Sequence, residues 1–150
     1  MNFPLRRKSK PIEVYVRPHF YSLPVGTNPV CLTLDRQRQP VEGFLVQANI
    51  NNTDLIVVSD SAGNALNGLQ LDAGRAWMFS VATPFLPISL SDTPMDFGDA
   101  IKVYRDRMLD YSLSHVGLQK RMVFDLADFW AVAGALDQNL RVFYTLTTES

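Results

Sequence analysis

The chain has 150 residues, enough for one domain that buries roughly 70% of the surface its unfolded form exposes, and its 47% hydrophobic and 19% charged content excludes a disordered polypeptide. Net charge is −1, but Arg6, Arg7, Lys8 and Lys10 cluster in the first ten residues, so residues 11–150 carry ten basic against fifteen acidic side chains, a net −5. That acidic balance argues against a general nucleic-acid-binding body; the single cysteine, Cys31, excludes an intrachain disulfide and a cysteine-based zinc cluster; and no apolar run approaches the roughly 18–20 residues of a membrane-crossing helix.

Residues 1–11 read as a basic arm, with no apolar stretch behind the charges to make a secretory signal. Residues 12–150 read as a single β-sandwich domain. "IEVYVR" alternates Ile12, Val14 and Val16 against Glu13, Tyr15 and Arg17, the period of a half-buried strand. "FYSLP" ends at Pro24, and Gly26 and Asn28 mark a turn. "VCLTL" over 30–34 is a third strand, closed by "DRQRQP". "VEGFLVQANI" alternates Val41, Gly43 and Leu45 against Glu42, Phe44 and Val46; the polar turn "NNTD" then separates it from "LIVVS". "RAWMFSV" is the next long strand, and "DFWAVAG" and "NLRVFYTLT" form a pair joined by "ALDQ". About eight short strands with no alternating helices predict an antiparallel sandwich or barrel.

One segment has a helical period. Thr93 suits an N-cap, Pro94 the first helical position and Asp96 the first turn. Phe97, Ile101, Tyr104, Met108 and Tyr111 follow at alternating intervals of four and three, one face of a helix near 94–111. That stripe packs either on the sandwich or on a neighbouring subunit.

The glycines of "DSAGNALNGLQLDAG" raise the question of a phosphate loop. Gly63 and Gly68 match the first half of G-x-x-x-x-G-K-[ST], but Leu69 and Gln70 stand where Lys and a hydroxyl are needed, and a strand follows instead of a helix. The glycines are read as turn punctuation, with Leu69 and Leu71 flanking Gln70 so that both leucines face the core. His19 and His115 lack the close spacing of a metal pair. Asp92, Asp96 and Asp99 lack a calcium-loop pattern and suit the start of a helix. Cys31 lies in an apolar strand, and no serine sits in a G-x-S-x-G elbow. No catalytic, metal or cofactor residue is assigned, and a non-enzymatic role is expected.

The stretch "VQANINNTDLIVVSDSAGNALNGLQLDAG" resembles small structural proteins of tailed-phage virions. In their pattern a strand ends in an Asn/Thr turn, here Asn51–Thr53, before an "I-x-V" strand, here Ile56 and Val58. A glycine turn at Gly63 and a "G-x-x-L-x-x-G" element at Gly68, Leu71 and Gly74 complete it. The ending is similar to the closing hairpin of the same proteins, through Asp125, Leu126, Val132, Gln138, Leu140, Arg141, Val142 and Tyr144. The resemblance covers roughly 41–81 and 124–147, and the segment 84–120 replaces the short link of that pattern.

It implies a jelly-roll-like β-sandwich of the cement, decoration or head-fibre type, located on the virion and made in the host cytoplasm. The implied partners are the major capsid protein or other virion proteins, within a homo-dimer or trimer. Membrane contact is not implied, and nucleic acid only through the arm. The alternative is a tail, fibre or adaptor module that binds a host glycan or another virion protein. Candidate partner-binding residues are the basic Arg6, Arg7, Lys8 and Lys10 and the aromatic Phe85, Phe97, Tyr104 and Tyr111; Phe129 and Trp130 are further aromatic anchors.

Overall fold

A computed structural model describes residues 14–60, 68–81, 87–114 and 123–149. Among these residues the fold is antiparallel and mostly β, two packed sheets with one helix. The strands are β1 (Val14–Val25), β2 (Val30–Cys31), β3 (Pro40–Val41), β4 (Gly43–Ala48), β5 (Ile56–Ser59) and β6 (Leu69–Leu71). They continue with β7 (Ala76–Ser80), β8 (Ile88–Ser89), β9 (Phe124–Asp125), β10 (Trp130–Ala133) and β11 (Gln138–Glu149), and the helix α1 spans Phe97–Ser114.

The larger sheet runs β1-β11-β4-β7-β8, the second β2-β10-β5-β6, and β3 and β9 form a small separate pair. With β3, β8 and β9 set aside, eight strands remain, and their antiparallel pairing is nested. The first pairs with the eighth, the second with the seventh, the third with the sixth and the fourth with the fifth. Every sandwich strand therefore finds a partner far away in sequence, except at the innermost pair.

Alternation in the strands builds the core between the sheets. Phe44, Val46 and Ala48 of β4, Leu140 and Val142 of β11, Ile56 and Val58 of β5, and Ala131 and Ala133 of β10 face one another there. Phe44 stacks on Phe79 at 4.7 Å between centroids and meets Phe129 edge-on at 4.8 Å, geometries worth about 0.5–1.5 kcal/mol each beyond burial. Leu71 is fully buried and Leu69 packs beside it, as their flanking of Gln70 predicts.

β4 is buried along its whole length, on both faces. Its other face belongs to a second apolar cluster of Leu45, Ala76, Met78 and Phe143, which α1 covers with Ala100 and Tyr104. Phe97, Ile101 and Met108 flank this cluster, so these members of the stripe seat the helix on its own sheet.

Four sequence expectations need correction. "IEVYVR" and "FYSLP" are one twelve-residue strand despite Pro18. Proline is tolerated because β1 is the edge of its sheet. The Asn49 amide bonds to Asn139 of the β11 segment and the Ala48 amide to Arg75 beside β7. This phase, carried across the register, makes odd residues of β1 bond β11 and turns even residues outward. Pro18 and Pro24 are both even, so neither removes a ladder bond.

"VCLTL" forms a strand only at Val30–Cys31, then turns through Leu34–Arg36, where Asp35 and Arg36 both adopt φ 56. "DFWAVAG" and "NLRVFYTLT" do not pair with each other: β10 lies between β2 and β5, while β11 lies between β1 and β4. Their connection crosses between the sheets, so that alternating residues of both strands reach the same core.

The helix begins at Phe97 instead of Pro94. The Ala100 amide bonds to the Asp96 carbonyl, which makes Asp96 the N-cap position. Residues 94–96 are taken up by packing: the Met95 amide bonds to the Gly74 carbonyl, and Gln47 Nε2 donates to both the Gly74 and Met95 carbonyls. Gly74 has φ 78, and a Cβ there would lie 2.7 Å from Pro94 Cβ. Only glycine suits both the backbone and the space.

Candidate interaction surface

A groove of about 880 Å³ lies between α1 and one end of the larger sheet. Its origin lies in strand pairing. β11 and β4 pair from Leu140↔Ala48 to Phe143↔Leu45 and then separate. β11 continues to Glu149 with β1, whereas β4 continues back to Gly43 with β7. The chain before β4 has turned to a different partner, with Pro40 opposite Asp125 and Val41 opposite Phe124. Where β4 leaves β11, which goes on with β1 alone, a fork opens, and the groove occupies it.

Tyr104 lies at this fork. Its ring meets Phe143 edge-on at 5.7 Å, and its hydroxyl lies 3.1 Å from where a Gly43 Cβ would be. The side chain is 1% exposed, and its hydroxyl has no hydrogen-bond partner among the described residues. Burial, and then the Glu42 carboxylate, push the phenol well above its ordinary range. It therefore stays protonated and is a hydrogen-bond donor at neutral pH.

Around it the groove has apolar contributions from Val16, Val41, Met108, Val123 and Leu146. Among the described residues its ionisable side chains are Glu42, Lys102, Arg105 and Asp106, two of each sign. The wall on the β11 side is Thr145 and Leu146.

The opposite end of the sandwich is closed by polar staples. Gln138 is 2% exposed. Its Oε1 accepts from the Thr53 and Asp54 amides at 2.8 and 3.0 Å, and its Nε2 donates to Thr53 Oγ1 and the Leu136 carbonyl. Asn52 bonds Asn139 in both directions, at 2.9 Å each way. These bonds fix the loops beside β5 and β11 to each other.

The predicted residues divide. Phe97 and Tyr104 pack α1 on its sheet, and the Arg141 guanidinium lies 5.4 Å over the Phe97 ring. Tyr111 is on α1, but its side chain lies outside the described residues, as do Arg6, Arg7, Lys8, Lys10 and Phe85. Phe129 is in the aromatic cluster, and Trp130 is half-buried beneath the Arg36 guanidinium at 5.2 Å. Cys31 is buried, its thiol donating to the Ala127 carbonyl. His19 stacks on Tyr144 at 5.0 Å, and His115 lies outside the described residues. Among the described residues no three His, Cys, Asp or Glu side chains come together to hold a metal ion, and no helix is long and apolar enough to cross a membrane.

No protein-family model matches the chain, and comparisons with curated proteins and with solved structures give no match.

Sequence reasoning did not single out Gly43, Thr145, Lys102 or Arg105 as neighbours in one surface. The available signal was Gly43 itself, a glycine inside an otherwise strand-like run, which marks a bulge or a close approach.

Proposed function

We propose that the chain is a non-enzymatic structural protein of a tailed-phage virion, a capsid cement or decoration protein that holds to the shell by many repeated contacts. One observation carries this reading. The described residues of the two stretches that resemble such proteins, 41–81 and 124–147, fold into a single body in which β4 pairs with β11 and β5 with β10. A shared pattern in two distant stretches is then a pattern in one packed unit.

The nested pairing of the eight sandwich strands supports the finer fold reading, a jelly roll, because rolling two Greek keys together pairs strands in that order. Two-sided burial of β4 and the Gln138 and Asn52 staples make a stiff unit, suited to a clamp. On a symmetric shell, weak contacts of one copy add through effective concentration. The partners in this reading are the major capsid protein and further copies of the chain. The glycan-binding alternative gains no platform from Trp77 and Trp130, which are both half-buried within strands.

Purified protein should co-sediment with capsids assembled without it, and more of it should stay bound as the number of free shell sites rises. Failure to co-sediment at every salt concentration refutes the decoration role.

A further inference from the structure

The fork between β11 and β4 leaves an open strand edge inside a groove. We propose that this edge takes an extended, uncharged peptide segment of a partner protein, which pairs with β11 beyond Phe143 and lies beside the Tyr104 hydroxyl. The inference does not depend on the virion reading.

The hydrogen-bonding phase carries the argument. Asn49 bonds Asn139, so odd residues of β11 direct their amide and carbonyl toward β4, and even residues direct theirs toward β1. The last pair on the β4 side is Phe143 with Leu45. Thr145 is the next odd residue, and its register partner would be Gly43. The ladder does not reach that pair, yet both residues line the groove. Thr147 and Glu149 continue the same edge of β11, giving three successive ladder positions that pair with β1 on one side and with no described strand on the other. A backbone in extended conformation is the ligand that matches such a row of alternating donors and acceptors.

Two further observations define the occupant. The buried Tyr104 hydroxyl is a donor without a partner among the described residues, at the point where the fork opens. A peptide carbonyl answers it, and a hydroxyl left unanswered in a dry site is costly. The four ionisable side chains of the described lining cancel in charge, so a segment without net charge is complementary to it. The chain's own basic arm, with Arg6, Arg7, Lys8 and Lys10, does not meet that condition. The outer edge of β1 is a poorer strand acceptor than the fork, because Pro18 and Pro24 remove two of its outward amides.

The test is amide hydrogen exchange and peptide binding on the full chain. In the free protein the Thr145 amide should exchange much faster than those of Tyr144 and Leu146, which bond β1. A pool of uncharged peptides of about six residues, the length of an average strand, should slow exchange at Thr145. Thr145→Pro removes only an amide that faces the groove, so it should fold, while weakening peptide binding at least tenfold. The same pool N-methylated on alternate backbone nitrogens should bind at least tenfold more weakly to the parent protein.

Slow exchange at Thr145 in the free protein overturns the proposal, as does absence of binding by the pool. Binding that Thr145→Pro and N-methylation leave unchanged also overturns it. Protection of Thr145 that rises with protein concentration alone, or tighter binding by a peptide of residues 1–13, would assign the edge to a second copy or to the arm instead.

Discussion

Replacing Gly43 and Gly98 by alanine should change stability in opposite directions. A Cβ on Gly43 would lie 2.8 Å from the Phe79 carbonyl oxygen, 3.0 Å from Met108 Sδ and 3.1 Å from Tyr104 Oη. Met108 can yield, but the Phe79 carbonyl is held in β7 between two neighbouring strands. Overpacking of this kind costs about 1–3 kcal/mol. The stiffer unfolded chain returns about 0.4–1 kcal/mol, which leaves Gly43→Ala destabilised by about 1–2 kcal/mol. For a domain of this size that lowers Tm by about 2–8 °C. A Cβ on Gly98 meets nothing within 4 Å, and the residue is exposed at the start of α1. There the helix gains up to about 1 kcal/mol. Urea unfolding at equilibrium reads both, with an unchanged slope as the control for two-state behaviour. In a Tyr104→Phe background one of the three Gly43 contacts is gone, so Gly43→Ala should cost about 0.5 kcal/mol less. A Gly43→Ala protein as stable as the parent would refute the close seating of α1 on β4, and with it the geometry of the fork.

Gln138→Ala removes a side chain that closes four hydrogen bonds around Thr53, Asp54 and Leu136. The expected loss is about 2 kcal/mol, since the exposed Thr53 and Asp54 amides regain water; faster amide exchange at those two positions would localise it. Stability should also fall at alkaline pH. Burial raises the folded-state pKa of Tyr104 above its ordinary value of 10.0. Its contribution is therefore intact below about pH 10, and it is lost as pH rises further because the unfolded chain releases the proton first. Tyr104 adds at most about 1.4 kcal/mol per pH unit to the slope, beside Tyr21 and Tyr144, whose phenol pKa values burial also raises. Tyr104→Phe should lessen the slope in urea unfolding followed above about pH 10, and an equal slope in both proteins would refute the assignment. Finally, Pro18→Val with Pro24→Val restores two outward amides on β1 without touching its bonds to β11. The double variant should keep its Tm within about 2 °C and gain concentration-dependent association in sedimentation, which the exposed Phe20 (67%) favours.

Much of the strand content was legible because the rules behind it are local. Alternation in "RAWMFSV" and "LIVVS", the break at "NNTD" and the flanking of Gln70 by two leucines all follow from a period of two and from turn chemistry. The stripe from Phe97 to Met108 gave the helix and its buried face in the same way. The helix start was misplaced because Thr93 and Pro94 fit a cap, while the Gly74 carbonyl and Gln47, far away in sequence, hold the Met95 segment in another arrangement.

What the sequence determined by itself was the class, antiparallel strands with one amphipathic helix, and the charge pattern, four basic residues in the first ten ahead of a net acidic remainder. Only the tertiary structure decided the partners. Alternating residues look the same whether two consecutive strands form a hairpin or cross from one sheet to the other, so the separation of β10 from β11 had no local signature. The fork at Phe143 and Leu45 is further from local reading still. It arises because β3 turns to β9 while β11 stays with β1, pairings between strands more than eighty residues apart that no short window of sequence contains.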